Sequence, residues 1–163
     1  MYKYLFISIL LAVSVVCSSC SINEKSFITV ENGHFVKNGK PYYYVGANYW
    51  YGPILGAKGE YGDRKRLLSE LDLMKANGID NLRILAGAEG PDGQPHRVTP
   101  GLQKSPGVYN DDLLEGLDFL LNEMDKRNMV AILYLNNSWE WSGGYAQYLN
   151  WNGYGNIPYP LVD

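Results

Sequence analysis

The run Met129-Val130-Ala131-Ile132-Leu133-Tyr134-Leu135 is almost continuously apolar, and it constrains the fold more than any other feature of the chain. A run of this length without alternation reads as a strand of a parallel sheet covered on both faces. Asn81-Leu82-Arg83-Ile84-Leu85 is a second such strand, and Tyr43-Tyr44-Val45-Gly46-Ala47 a first. Amphipathic stretches lie between them. Asp63 stands where a helix N-cap belongs, Leu67, Leu68, Leu71 and Met74 share a face, and Gly78 fits the C-terminal cap. A second helix is expected over about residues 111–127, with Leu113, Leu114, Leu117, Leu120, Leu121 and Met124 on its buried side. The order β-α-β-α-β predicts an α/β domain with right-handed crossovers.

Ahead of the first strand, residues 28–30, 35–36 and the run from Tyr42 are separated by Asn32-Gly33 and Asn38-Gly39. Asn-Gly is the strongest signal for a two-residue hairpin loop, because both positions tolerate positive φ. A small antiparallel meander is therefore expected to open the domain. The strand starts recur every roughly 40 to 50 residues, the rhythm of a barrel with enlarged strand-to-helix loops. A complete (β/α)8 barrel needs at least about 200 residues, and the chain has 163. The reading is thus the N-terminal part of a (β/α)8 TIM barrel, about three βα units, preceded by a small β-hairpin. A doubly wound sheet of flavodoxin type is the alternative; it calls for about five strands in this length, and three buried ones are legible. Residues 86–109 read as a long loop holding Pro91, Pro95, Pro100 and Pro106, and residues 136–163 as another loop without a helix.

The N-terminus carries a different message. Lys3 is followed over residues 5–16 by an apolar run broken only by Ser8 and Ser14, ending in Cys17-Ser18-Ser19-Cys20. This has the form of an export signal and is too short to span a bilayer, which takes about 20 apolar residues. Small residues before Cys20 resemble a bacterial lipobox, so residues 1–19 are expected to be a lipoprotein signal peptide, with Cys20 lipidated. Residues 20–26 would be a linker, and residues 27–163 the partial barrel domain. A plain signal peptide is the alternative. The implied location is the bacterial cell envelope, at the outer membrane or cell surface, with membrane contact only through the lipid anchor.

No cysteine follows Cys20, and His34 and His96 lie far apart, so neither a disulfide nor a metal site is expected. Acids outnumber bases 17 to 14, which argues against nucleic acid. Aromatic rings are abundant, with 14 Tyr, 4 Trp and 4 Phe. In a β/α domain the functional groups sit in loops at the C-terminal strand ends. Trp50 follows the first strand, Glu89 the second, and Trp139, Glu140, Trp141 and Trp151 the third. Flat aromatic faces gathered on one rim suit sugar rings, although such rings also serve simply to close loops. Arg83 sits in an otherwise apolar strand and calls for a carboxylate partner, either a catalytic group at the barrel mouth or a structural one on a neighbouring helix. Glu89 and Glu140, with Asp92 as a spare, are the only rim carboxylates that could be proposed as a catalytic pair, and none lies in a recognisable motif.

The segments Gly46-Ala47-Asn48-Tyr49-Trp50-Tyr51-Gly52, Asn81-Leu82-Arg83-Ile84-Leu85-Ala86-Gly87 and Asn136-Asn137-Ser138-Trp139-Glu140-Trp141-Ser142-Gly143-Gly144 resemble the first three strand ends of glycoside hydrolase family 5. The match is nearest to its endo-β-1,4-mannanase branch and covers about residues 27–163. The opening hairpin resembles the one that plugs the bottom of those barrels. The resemblance implies retaining hydrolysis of internal β-1,4-mannosidic bonds in mannan, glucomannan or galactomannan, without a cofactor. Arg83 would match the arginine that supports the nucleophile, and Trp139 the tryptophan lining a glycone subsite. Asn48, Trp50 and Asn137 would lie near the same groove. In the family the acid/base glutamate follows the fourth strand in an Asn-Glu motif, and the nucleophile follows the seventh. This chain contains no Asn-Glu-Pro; Asn23-Glu24 falls in the linker and Asn122-Glu123 in the second helix. The expectation is a chain truncated before both catalytic glutamates and inactive alone. A lipid-anchored protein that binds glycan without cutting it is the competing reading.

Overall fold

The computed structural model describes residues 27–157. The expected signal peptide, Cys20 and the whole of the expected linker lie outside the described residues. The chain divides into two compact units, Met1–Tyr43 and Tyr44–Asp163.

The described part of the first unit is an antiparallel meander as expected, with its third strand at Lys40–Pro41, just ahead of the run from Tyr42. Strands β1 (Thr29–Glu31), β2 (His34–Lys37) and β3 (Lys40–Pro41) pair antiparallel in that order. Both turns have the left-handed geometry that Asn-Gly supplies: φ is 49° and 79° at Asn32 and Gly33, and 54° and 70° at Asn38 and Gly39.

The second unit is built on three parallel strands, β4 (Gly46–Asn48), β5 (Asn81–Leu85) and β8 (Val130–Tyr134), in the order β4-β5-β8. Helix α1 (Gly52–Gly56) and helix α2 (Arg64–Ala76) connect β4 to β5. The small antiparallel pair β6 (Gln103–Ser105) and β7 (Val108–Tyr109) and helix α3 (Asp111–Lys126) connect β5 to β8. Beyond β8 come a single 3-10 turn (Glu140–Ser142) and helix α4 (Gly144–Trp151).

Local chemistry sets the helix ends. The Asp63 carboxylate accepts from the Arg66 backbone N–H at 2.9 Å and so caps α2, while Gly78 adopts φ 79° just past its end. Asn110 caps α3 through the Asp112 N–H at 3.2 Å. The core joins Leu67 and Leu71 of α2, Leu82 and Ile84 of β5, and Leu120 and Met124 of α3 with Tyr49, Leu55 and Met129. Helices α1 and α3 meet backbone to backbone: a Cβ on Gly56 would stand 2.2 Å from the Gly116 carbonyl oxygen, and one on Gly116 2.2 Å from that of Pro53.

Four local expectations are corrected. Leu114 is 39% exposed, because the stripe that faces the core follows Leu113, Gly116, Leu120 and Met124, and Leu114 falls outside it. Strand β8 is parallel as expected but not covered on both faces: Ile132 and Leu133 are 43% and 40% exposed on the edge of the sheet. The loop after β5 contains the β6–β7 pair, and residues 136–157 contain α4, where no helix was expected.

Candidate functional site

The parallel register aligns Asn48 with Arg83 and Arg83 with Ile132, so the C-terminal ends of β4, β5 and β8 open at one level. Backbone bonds extend the alignment into the loops, from Tyr49 N–H to the Arg83 carbonyl at 2.8 Å and from Ala86 N–H to the Tyr134 carbonyl at 3.0 Å. Leu82 and Ile84 enter the core, and alternation along the strand turns Arg83 to the opposite face. The guanidinium carbon lies 3.6 Å from the centroid of the Tyr134 ring. Arg83 therefore rests on an aromatic face, and no carboxylate pairs with it among the described residues. The stacking satisfies a cation that remains partly in solvent, where a cation–π contact contributes about 0.5–1 kcal/mol. Burial pushes the Tyr134 phenol up, against the lowering pull of Arg83.

Two of the expected rim tryptophans come together. Trp50, after β4, and Trp141, in the 3-10 turn after β8, pack edge to face with centroids 4.9 Å apart at 78°. Trp50 also packs on Tyr51 at 5.5 Å. Trp139 stands apart, 66% exposed. Its backbone N–H donates to the Asn137 side-chain oxygen at 3.1 Å, so Asn137 shapes the turn that presents the indole. Asn48 is exposed at the end of β4. Trp151 packs instead against Tyr148, 5.4 Å away at the far end of α4.

The rim carboxylates fare differently. Asp92 is occupied within its own loop, accepting from Gly101 N–H at 2.7 Å and pairing with Lys104 at 3.0 Å. Glu140 begins the 3-10 turn. Glu89 is 5% exposed, and burial pushes its carboxyl up despite the Gly144 N–H donated to Oε2 at 2.9 Å. Around Glu89 lie Arg97, Gln147, Gly143 and Gly144, none of which stood out as functional in the sequence. The one local clue was the Gly143-Gly144 pair, whose positive φ values of 87° and 58° mark a close backbone approach. Among the described residues no group of three or more His, Cys, Asp or Glu side chains is placed to hold a metal ion.

A three-stranded parallel sheet with aromatic loops at its C-terminal edge is the geometry of a barrel segment, and comparison with known proteins assigns it. The pattern described as GH family 5 beta-mannosidase-like matches residues 25–163. Mannan endo-1,4-beta-mannosidase 5 of Solanum lycopersicum is 30% identical over 154 residues, which are 90% of this chain and 35% of that protein. Mannan endo-1,4-beta-mannosidase 1 of Oryza sativa subsp. japonica is 33% identical over 125 residues, 77% of this chain and 27% of that one. This chain thus spans about a third of the length of the curated relatives it matches. Among solved structures, a family 5 mannosidase from Rhizomucor miehei superposes with a TM-score of 0.79 at 46% identity, covering 86% of this chain and 35% of that one. An endo-1,4-beta-mannanase from the same organism superposes at 0.63 with 24% identity, a likeness of fold. With most of its length inside the family pattern, the chain belongs to glycoside hydrolase family 5, in the β-mannosidase-like group, and its three parallel strands form the N-terminal portion of that barrel.

Proposed function

We propose that this chain contributes the strand-end wall of a groove that binds β-mannan-type polysaccharide, within an enzyme that hydrolyses internal β-1,4-mannosidic bonds with retention. The observation that carries the reading is Trp139, an exposed indole held by Asn137 on the same rim as the Trp50–Trp141 pair. Exposed aromatic faces pack on the C–H faces of sugar rings, while amides such as Asn48 answer the hydroxyls. The relatives named above support the choice of mannan.

Retaining cleavage uses two carboxyl groups about 5–5.5 Å apart. Glu89 is buried and committed to a backbone amide, and Asp92 to Gly101 and Lys104, so neither is free to protonate or attack a glycosidic bond. The proposed role for these residues is therefore binding and orientation, with Arg83 supporting an anionic group across the groove. In affinity electrophoresis, mannan in the gel should retard the purified chain, and Trp139→Ala should abolish the retardation. Release of reducing sugar from mannan, lost on changing Glu89 or Glu140 to Gln, would sink the division of labour proposed here.

A second reading has its own support. A glutamate-to-alanine variant of the 46% identical mannosidase was solved in complex with mannosyl-fructose, which favours short β-mannosides as ligands. Tighter binding of mannobiose than of mannohexaose would select it. Export and lipidation at Cys20 are also proposed, from residues 5–20 alone. A clickable fatty acid should label the chain in a bacterial host and fail to label Cys20→Ser.

A further inference from the structure

Two loops with no sequence in common are joined around one buried side chain. The loop after β5 and the loop after β8 meet at Glu89, whose backbone N–H donates to the Ser142 carbonyl at 2.9 Å and whose carboxylate accepts from Gly144 N–H at 2.9 Å. Arg97 donates through Nη2 to the Glu89 carbonyl and through Nη1 to Gln147 Oε1 at 2.9 Å. Val98 N–H donates to the Trp141 carbonyl at 2.7 Å. Gln147 is itself 2% exposed.

The bare backbone at Gly143-Gly144 makes this approach possible. A Cβ on Gly143 would stand 2.1 Å from the Glu89 carbonyl oxygen, and one on Gly144 2.1 Å from that of Asn137. Gly144 is also the first residue of α4, which receives no cap from its own N-cap side chain. Glu89 thus supplies from a distant element the negative charge and the acceptor that a helix N-terminus favours.

We propose that Glu89 is a positioning residue: its carboxylate, held on the Gly144 N–H, ties the loop after β5 to the loop after β8 and so sets where Trp139 and Trp141 stand. That these loops face glycan rests on the function proposed above; the tie itself does not. A buried carboxyl in a strand-end loop has the outward signs of a general acid. Here the oxygen is aimed at a backbone amide and the side chain is closed off from any substrate, so it acts through the loops.

Amide hydrogen exchange on the full chain tests the tie. In Glu89→Ala, exchange at Gly144 and across residues 141–147 should accelerate about tenfold or more, while β5 and α2 keep their protection. Glu89→Gln keeps the volume and an acceptor but loses the charge, and charge-assisted bonds are about twice as strong as neutral ones. It should restore most of the protection and leave a several-fold acceleration confined to the same amides, a result that stands even if Glu89→Ala folds poorly. Unchanged exchange at Gly144 in Glu89→Gln, or an equal loss of protection across the whole domain, would overturn the proposal. A mannohexaose titration followed by tryptophan fluorescence separates the two readings. Binding by the wild-type chain that weakens about tenfold in Glu89→Ala supports both, at about 1.4 kcal/mol per decade. Unaltered affinity in Glu89→Ala overturns the role given to Glu89, whereas no binding by the wild-type chain overturns the glycan reading and leaves the exchange result to decide the tie.

Discussion

Tyr49 is a buried core residue with a polar tip, and its hydroxyl donates to Glu70 at 2.7 Å. Burial, with the Glu70 carboxylate beside it, holds the phenol far above its ordinary range, so it remains a donor at any working pH. Burial would raise Glu70, but hydrogen bonds from Arg66, Tyr49 and Tyr51 outweigh it and leave the carboxyl low. Tyr49→Phe should therefore cost about 1 kcal/mol in a urea titration, with a smaller loss for Tyr51→Phe, whose bond is longer at 3.2 Å. Glu123 is held below the ordinary carboxylate range by Lys126, at 2.5 Å, and Arg127, at 2.8 Å. A depressed folded-state pKa means that this stabilisation is complete above the unfolded value of about 4.5 and is lost as pH falls through the folded value. The urea midpoint should drop as the chain is acidified below about pH 4.5, and more shallowly in Glu123→Gln. Glu89 has the opposite sign: its raised carboxyl binds a proton more readily when folded, so on this count the fold gains stability as pH falls toward the unfolded value.

Among the elements, the α1–α3 crossing is the least forgiving. Gly116→Ala would drive a methyl into the Pro53 carbonyl, and an overpacked site of this kind costs about 1–3 kcal/mol. Leu114→Ala, on an exposed part of the same helix, should cost far less than Leu120→Ala, for which about 2–5 kcal/mol is usual; thermal melts of the three variants give the order. Other elements show what a sequence discloses. The Asp63 cap, the Gly78 terminus and the two Asn-Gly turns were legible because each depends on residues within a few positions of itself. Helix α4 was not. Its sequence, Gly144 to Trp151, carries no N-cap side chain, and the carboxylate that serves it comes from residue 89. The neighbour of Arg83 was not legible for a related reason: among the described residues it is a tyrosine ring from the next strand, Tyr134, a contact between strands that no local pattern announces.

At the scale of the whole domain, the parallel order β4-β5-β8 was legible because three apolar runs alternate with two helical patterns, and that rhythm survives any error at the boundaries. The coverage of β8 was not, since an apolar run states what a strand needs and not whether a neighbour is present. An edge strand with exposed Ile132 and Leu133 is a template for pairing with another chain. The purified protein should elute larger as its concentration rises, and Leu133→Lys should suppress that shift in size-exclusion chromatography. The Trp50–Trp141 contact has a consequence of another kind. The two indoles stand on the loops after β4 and β8, the outer strands of the sheet, and meet at 4.9 Å and 78°. Two identical chromophores so close and so crossed couple excitonically, and the resulting circular-dichroism couplet depends on their mutual angle. The domain therefore carries an intrinsic optical gauge of how the loops after β4 and β8 sit against each other, readable without a label and silenced by Trp50→Phe.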